Sequence, residues 1–115
     1  MKEIQIKDII PKEGTIDLII VRIISIGEIR TVDTKYGKKE VADCIIGDET
    51  GKLTLTLWGK QIHKVSEGDC IQIVNGWINV WKDRPKMSIG RGTMQKVNPE
   101  MVGDILEKEF EKYWS

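Results

Sequence analysis

The sequence predicts an all-β fold, a five-stranded barrel followed by a short C-terminal α-helix. Residues 53–58 alternate strictly, with three leucines on one parity and Thr54, Thr56 and Trp58 on the other. This period is typical of a strand with one face on a core and one face outward. Residues 15–27 are rich in isoleucine and valine, whose β-branched side chains favour strands. Short turns separate the extended stretches.

Five extended stretches follow one another along the chain. Gly27 is expected to mark a bend or bulge in the first of them, and a turn at residues 35–38 leads into the second. The third stretch is expected to open with a tight turn, in which Asp48 and Thr50 bond nearby backbone and Gly51 takes a positive φ. The predicted strands span residues 15–34, 39–46, 47–59, 69–81 and 86–90, the last resuming at 93–97.

The connections indicate which barrel this is. A first strand long enough to bend through two sheets and a turn or two of helix at residues 60–68 are typical of an OB-fold barrel. The lead-in, with Pro11 and Gly14, is expected to plug one end of its core. Strand count alone also fits an SH3-like barrel or a small sandwich.

A C-terminal helix is predicted after the barrel. Asn98 is a favourable N-cap, and Pro99 suits the first helical position. Apolar residues then recur mostly at steps of three and four. We therefore expect an OB-fold domain at residues 1–97, and at 98–115 a helix packed on the barrel or used for oligomerisation.

The composition indicates a globular protein, with 40% hydrophobic and 31% charged residues in a chain of 115. No apolar run approaches the roughly 18 residues of a membrane span. The N-terminus lacks the apolar core of a signal peptide, so we expect a cytoplasmic protein without a membrane partner. Cys44 and Cys70 have no paired spacing, and we expect buried free thiols.

The predicted fourth strand carries a conflict of parity. Ile71 and Ile73 are odd, whereas Ile78 and Val80 are even, and all four are expected in the core. One extra residue near Gly76, a β-bulge, would resolve the conflict. The outward side chains would then be Trp77, Asn79 and Trp81, on the same face as Thr56 and Trp58, and all five are expected to line the binding site.

Exposed indoles predict a flat ligand. In the alternative arrangement, Trp77 and Trp81 lie in the core and Ile78 and Val80 face solvent. The alternative for Trp58 is that the C-terminal helix covers it.

Nucleobases fit an exposed cluster of indoles, because stacking on an aromatic ring is worth roughly 1–3 kcal/mol per base. The net charge is zero, yet basic side chains are expected to border this face and meet phosphates: Arg30, Lys52, Lys60, Lys82, Arg84, Lys86, Arg91 and the turn with Lys35, Lys38 and Lys39.

The segment from Gly47 to Gly51, followed by Leu55-Thr56-Leu57-Trp58-Gly59-Lys60, resembles the third-strand signature of a known family. The family is that of the archaeal single-stranded DNA-binding proteins with one OB fold, related to the DNA-binding domains of replication protein A (replication factor A). Further matches, at Val21-Arg22, Glu28-Ile29-Arg30 and Gly76-Trp77 to Trp81-Lys82, extend the resemblance over residues 6–97.

The resemblance implies sequence-tolerant binding of single-stranded DNA in replication or repair. It implies that Trp58, Trp77 and Trp81 stack on bases with help from Arg30. The family's single-domain members have a long flexible tail where this chain has a short predicted helix. In larger replication protein A complexes such a helix assembles subunits, which implies self-association or binding of replication and repair proteins through residues 98–115.

No catalytic site, metal site or cofactor site is predicted. His63 is the sole histidine and is expected to be a surface residue, and no phosphate-binding loop or carboxylate constellation is visible. We therefore expect a binding module rather than an enzyme. Two other functions fit the same pattern: a protein-interaction subunit of a replication protein A-like complex, and binding of single-stranded RNA through the same face.

Overall fold

A computed structural model describes residues 2–104 of the chain. It contains seven strands, one short helix between β4 and β5, and two 3₁₀ turns at Ile6–Asp8 and Pro99–Met101. In chain order the elements are β1 (Gly14–Ile26), β2 (Arg30–Thr34), β3 (Gly37–Asp48), β4 (Gly51–Trp58), α1 (Lys60–His63), β5 (Cys70–Trp81), β6 (Arg84–Ser88) and β7 (Thr93–Val97).

Five of the strands in the described chain close a barrel. Their order around the ring is β1, β3, β4, β6 and β5, and β5 pairs back with β1. The neighbouring pairs are antiparallel except β4 with β6, which is parallel. β2 extends the first half of β3 into a hairpin arm, and β7 pairs with the first half of β5. The predicted five-stranded OB-fold barrel is confirmed.

The leucine ladder of β4 lies in the barrel interior. Leu53, Leu55 and Leu57 are each 0% exposed, and burying such a side chain contributes roughly 1.5–3 kcal/mol. The N-terminal lead-in closes one end of the barrel, as expected. Ile6 is buried there, and its backbone N–H donates a 3.0 Å hydrogen bond to the Asp48 carboxylate.

The first predicted strand is interrupted at Gly27, where a bend or bulge was expected: β1 ends at Ile26 and β2 begins at Arg30. Ile23 pairs with Ile46 but Ser25 pairs with Ile45, so β1 carries a bulge just before Gly27. The Gly27 N–H donates to the Asp43 carbonyl oxygen at 2.9 Å. A β-carbon at Gly27 would lie 2.5 Å from that oxygen, so no larger residue fits. Beyond this interruption, β2 continues along β3 as the hairpin arm.

Along β5 the buried positions change from odd to even residue numbers, as expected, but the expected bulge is wrong. Leu18 lies opposite Val74 and Ile16 opposite Gly76, so the pairing with β1 continues without an inserted residue. Asn75 instead adopts a left-handed backbone with φ of 56°. This conformation interrupts the regular alternation of the strand and lets the core positions change parity.

The turn between β3 and β4 differs from expectation in one respect. Asp48 Oδ1 accepts hydrogen bonds from the Thr50 N–H at 2.7 Å and from the Thr50 hydroxyl at 2.6 Å, as expected. The positive φ expected at Gly51 is wrong. Gly51 pairs directly with Asp48, so Glu49 and Thr50 alone make the reversal.

The predicted C-terminal helix begins as expected but does not continue. The Asn98 side chain accepts a hydrogen bond from the Glu100 N–H at 2.9 Å, and Pro99 follows the cap. Val102 is already extended, so a continuous helix from Asn98 is wrong over the described residues. The Arg22 guanidinium donates to the carbonyl oxygens of Pro99 at 2.7 Å and Val102 at 2.9 Å, where a helix would use its own N–H groups.

The remainder of that predicted helix, residues 105–115, lies outside the described residues. Its packing on the barrel and its role in oligomerisation therefore stay predictions, as does the domain boundary at residue 97. Within residues 2–104, no helix combines the length and the apolar character needed to cross a membrane.

Candidate nucleic-acid interface

The outer surface of β4, β5 and β6 carries the three predicted aromatic residues. Trp77 on β5 lies opposite Ser88 on β6, and Ser88 lies opposite Thr56 on β4. Trp58 follows two residues after Thr56 and therefore points to the same side. Trp81 lies at the far end of β5, opposite Arg84. We call this surface, with Trp58, Trp77 and Trp81, the aromatic face.

The three indoles are exposed, and the core is complete without them. Trp58 is 42% exposed, Trp77 38% and Trp81 69%, whereas Ile78 is 1% exposed. Val80 packs partly buried against the core. The alternative arrangement, with tryptophans inside and Ile78 and Val80 in solvent, is therefore wrong.

Hydrogen bonds and turn geometry orient the indoles. The Trp77 indole N–H donates to Asn79 Oδ1 at 2.9 Å. Lys82 and Asp83 both have positive φ, which closes a two-residue hairpin between β5 and β6. That hairpin places the Lys82 ammonium 4.5 Å from the centre of the Trp81 ring. The hairpin thus brings a cation directly beside one of the predicted stacking rings.

Arg30 reaches this surface through the hairpin arm. It pairs with Val41 of β3, and Val41 pairs with Trp58, so the three side chains form one row across the strands. The backbone N–H of Trp58 donates to Gln61 Oε1 at 3.0 Å, which anchors the end of β4 to α1. Arg30 is exposed, as its predicted role requires.

Asp43, which the sequence reasoning missed, places a negative charge on the aromatic face. Its carboxylate accepts a 2.8 Å hydrogen bond from the Thr56 hydroxyl and lies 3.3 Å from the Lys86 ammonium. Burial raises the pKa of Asp43, but the Thr56 and Lys86 hydrogen bonds and the charges of Lys86 and Arg30 outweigh it. The pKa therefore lies below its ordinary value, and Asp43 is charged at neutral pH.

Of three further basic residues predicted at the rim, two are exposed beside the indoles and one is buried. Arg84 is exposed beside Trp81, and Arg91 lines a cleft of about 500 Å³ that Trp77 also borders. Lys52 is 8% exposed, so its expected place at the rim is wrong. It lies at the start of β4, against which the N-terminal segment packs through a 3.0 Å hydrogen bond from the Lys7 N–H to Thr50.

The other candidate reactive side chains are His63, which lies on the surface, and the two cysteines, which lie in the core. His63 is exposed and lies 3.0 Å from Glu40. Cys44 and Cys70 are buried and free, as expected. Burial, with the neighbouring Asp43 charge, raises the pKa of the Cys44 thiol to about 11. Within residues 2–104, no three His, Cys, Asp or Glu side chains are grouped to hold a metal ion.

Comparison with known proteins decides the family. Residues 11–96 match the family described as single-stranded DNA binding protein Ssb-like, OB fold. The chain belongs to this family. The match spans the barrel and all three indoles, and the resemblance stated from the sequence is confirmed.

Two archaeal relatives and one solved structure place this Ssb-like chain more closely. It is 36% identical over 75 residues to the single-stranded DNA binding protein Ssb of Saccharolobus solfataricus, across 65% of this chain and 51% of that protein. It is 30% identical over 102 residues to replication factor A of Methanothermobacter thermautotrophicus, across 86% of this chain and 13% of that protein. The replication factor A related protein from Methanobacterium thermoautotrophicum has a similar structure, with a TM-score of 0.66 and 28% identity over 85% of this chain and 93% of that one.

The lengths of the relatives differ from that of the Ssb-like chain. The chain spans about half of the Saccharolobus solfataricus protein and a small part of replication factor A. The likeness therefore concerns the OB domain, and what the longer relatives do as whole proteins does not transfer with it.

Proposed function

We propose that this Ssb-like OB domain binds single-stranded DNA with little preference for sequence, by stacking bases on Trp58, Trp77 and Trp81. We propose further that it acts in DNA replication or repair and that the domain catalyses no reaction. The Saccharolobus solfataricus relative is a single-stranded DNA binding protein, which supports this class of ligand.

The observation that carries the proposal is the exposure of three indoles on one face of the barrel. Each of the three tryptophans is at least 38% exposed although the core beneath is complete. Stacking contributes roughly 1–3 kcal/mol per base, so three rings offer about 3–9 kcal/mol before ordering costs. Arg30, Arg84 and Arg91 stand around these rings, where they can meet phosphates.

The polar groups of the face support low sequence preference. Reading a base requires side-chain groups that are free to bond base edges. Asn79 Oδ1 already accepts the Trp77 indole N–H, and the Thr56 hydroxyl already donates its one hydrogen to Asp43. These bonds reduce the groups left to read a base edge to the Asn79 amide N–H groups and the Thr56 oxygen, whereas every base can stack on an indole.

Titration of the intrinsic tryptophan emission tests the proposal. Oligo-dT should quench the emission, whereas a duplex of the same length should quench it weakly because its bases are stacked inside the helix. Absence of quenching and of binding by oligo-dT, or equal affinity for the duplex, would contradict the proposal. A matched RNA strand that binds as tightly as DNA would widen the ligand to single-stranded nucleic acid, since stacking alone does not distinguish the sugars.

A further inference from the structure

We infer that Tyr36 and Trp58 form a fourth base-binding subsite, which extends the aromatic face onto the β2–β3 hairpin arm. The inference rests on the proposed function, because the occupant is one more nucleotide of the same DNA strand. The subsite is a groove lined by Thr34, Tyr36, Lys39, Trp58, Gly59 and Lys60, which we call the hairpin groove.

The hairpin arm continues the outer surface without a break. Trp58 lies opposite Val41, and Val41 lies opposite Arg30 on β2. Two residues further along β2, Val32 pairs with Lys39, and Thr34 pairs with Gly37 at the tip. Paired residues in antiparallel strands share a face, so the row leads from Trp58 towards Tyr36.

The hairpin turn holds Tyr36 at the end of this row. The Tyr36 N–H donates to the Thr34 hydroxyl at 3.1 Å, and that hydroxyl donates to the Gly37 carbonyl oxygen at 2.7 Å. Gly37 has a φ of 105°, a conformation that favours glycine. The turn is therefore fixed locally, while the Tyr36 side chain remains 78% exposed.

The chemistry of the hairpin groove matches a nucleotide. Its volume is about 480 Å³, and two of its lining residues, Tyr36 and Trp58, are aromatic, which suits a small flat ligand. Lys39 and Lys60 line the groove, and among the described residues neither forms an ion pair. Lys35 lies 5.1 Å from the centre of the Tyr36 ring and adds a third cation. A base can stack while its phosphate meets these ammonium groups.

Continuity with the aromatic face identifies the occupant. Trp58 belongs both to that face and to the hairpin groove, so a strand that stacks on Trp58 and continues away from Trp77 enters the groove. The positive charge around the groove favours this path for a polyanion. A protein or a membrane has no such continuity with the proposed binding face.

A length series of oligo-dT strands tests the subsite in the full chain. Strands of about 4 to 16 nucleotides cover the range of OB-fold sites. For Tyr36→Ala, long strands should bind about 5- to 150-fold more weakly, the equivalent of one lost stacking contact. The shortest strands that bind should be unaffected, and the length at which affinity stops rising should fall by about one nucleotide.

Two further variants complete the test. Tyr36→Phe keeps the ring and should bind like the parent, whereas Met101→Ala removes an exposed apolar side chain beyond the barrel and should change nothing. Unchanged affinity of Tyr36→Ala at every length, or an equal loss at every length, would overturn the subsite. In either case oligo-dT binding by the parent chain would leave the proposed function standing.

Discussion

Asn75 is the residue at which β5 exchanges its two faces. Ile73 before it and Ile78 after it are both buried although they differ in parity, and Asn75 between them has a φ of 56°. The left-handed region costs most L-residues roughly 1–2 kcal/mol, and glycine and asparagine tolerate it best. The backbone of this one residue thus decides that Trp77 and Trp81 point outward.

Substitution at Asn75 should separate backbone strain from side-chain chemistry. Asn75→Val, which is β-branched, should lower the free energy of unfolding by about 1–2 kcal/mol. Asn75→Gly should leave it unchanged or slightly raised, because glycine adopts positive φ readily. Urea unfolding measures both variants. Equal stability of the valine and glycine variants would contradict the role given to this backbone.

Asp43 is expected to weaken DNA binding as it stands. Its carboxylate repels phosphates and holds the Lys86 ammonium at 3.3 Å. Asp43→Asn should therefore raise the affinity for oligo-dT about 2- to 5-fold, as expected for roughly 0.5–1 kcal/mol of surface Coulomb energy. It should also steepen the dependence of log K on log salt by about 0.7, as Lys86 becomes free for a phosphate.

Asp69→Asn is the matched control for Asp43. The Asp69 carboxylate also pairs with a lysine, Lys96, at 3.3 Å, but it precedes β5 at the end away from Trp81. The Asp69→Asn substitution removes the same charge and should leave the affinity for oligo-dT nearly unchanged. Equal effects of the two substitutions would show that overall charge, and not position on the aromatic face, sets the affinity.

At the scale of elements, β5 changes partner where it changes faces. Its first half pairs with β7 and its second half with β6, and Gly92, just before β7, crosses beside the exchange point. A β-carbon at Gly92 would lie 2.1 Å from the Val74 carbonyl oxygen. Backbone here approaches backbone, which leaves no flexible side chain to move aside.

Gly92→Ala should therefore destabilise the barrel. We expect a loss of about 1–3 kcal/mol in the free energy of unfolding, the usual cost of overpacking. Gly14→Ala is the control, because a β-carbon there meets nothing within 4 Å. Denaturant midpoints of the two variants give the comparison, and coincident midpoints would show that the crossing at Gly92 is looser than the geometry implies.

Features with a local cause could be predicted from the sequence. The strand period of β4 placed Leu53, Leu55 and Leu57 in the core, because alternation depends only on neighbours in the chain. The same parity argument found the exposure of Trp77 and Trp81. The argument predicted a β-bulge, whereas the structure has a left-handed residue, Asn75. Both produce the same exchange of faces, and they differ only in the pairing of β5 with β1, which the sequence does not reveal.

Three individual contacts that depend on long-range pairing were not predicted. Asp43 joins the aromatic face because β3 pairs with β4 and Lys86 reaches across from β6. Tyr36 approaches Trp58 through the pairing of β2 with β3. Lys52 lies buried at the start of β4, beside the N-terminal lead-in, a contact between segments far apart in the chain.

At the scale of the whole molecule, charge and chain path both leave the aromatic face open. Arg22 holds the carbonyl oxygens of Pro99 and Val102 near Cys70, the first residue of β5, whereas Trp81 is the last. The described part of the C-terminal segment therefore does not cover the indoles. Arginines and lysines stand around the aromatic face of a protein whose net charge is zero.

The salt dependence of the affinity for oligo-dT should show whether these arginines and lysines contact phosphates. Contacts with about three to five phosphates should give a slope of about −2 to −3.5 for log K against log salt. Fluorescence titrations with oligo-dT across a range of sodium chloride concentrations measure the slope. A flat response would contradict the phosphate-binding role of the arginines and lysines around the aromatic face.

Binding by the double variant Trp77→Ala, Trp81→Ala tests the central claim, base stacking on exposed indoles, most directly. The affinity should be measured by anisotropy of labelled oligo-dT, with circular dichroism to check that the barrel remains folded. Trp77→Phe, Trp81→Phe is the control that keeps aromatic rings and should lose less. The account expects the alanine pair to weaken binding by about 2–6 kcal/mol. Unchanged affinity in a folded alanine variant would contradict it.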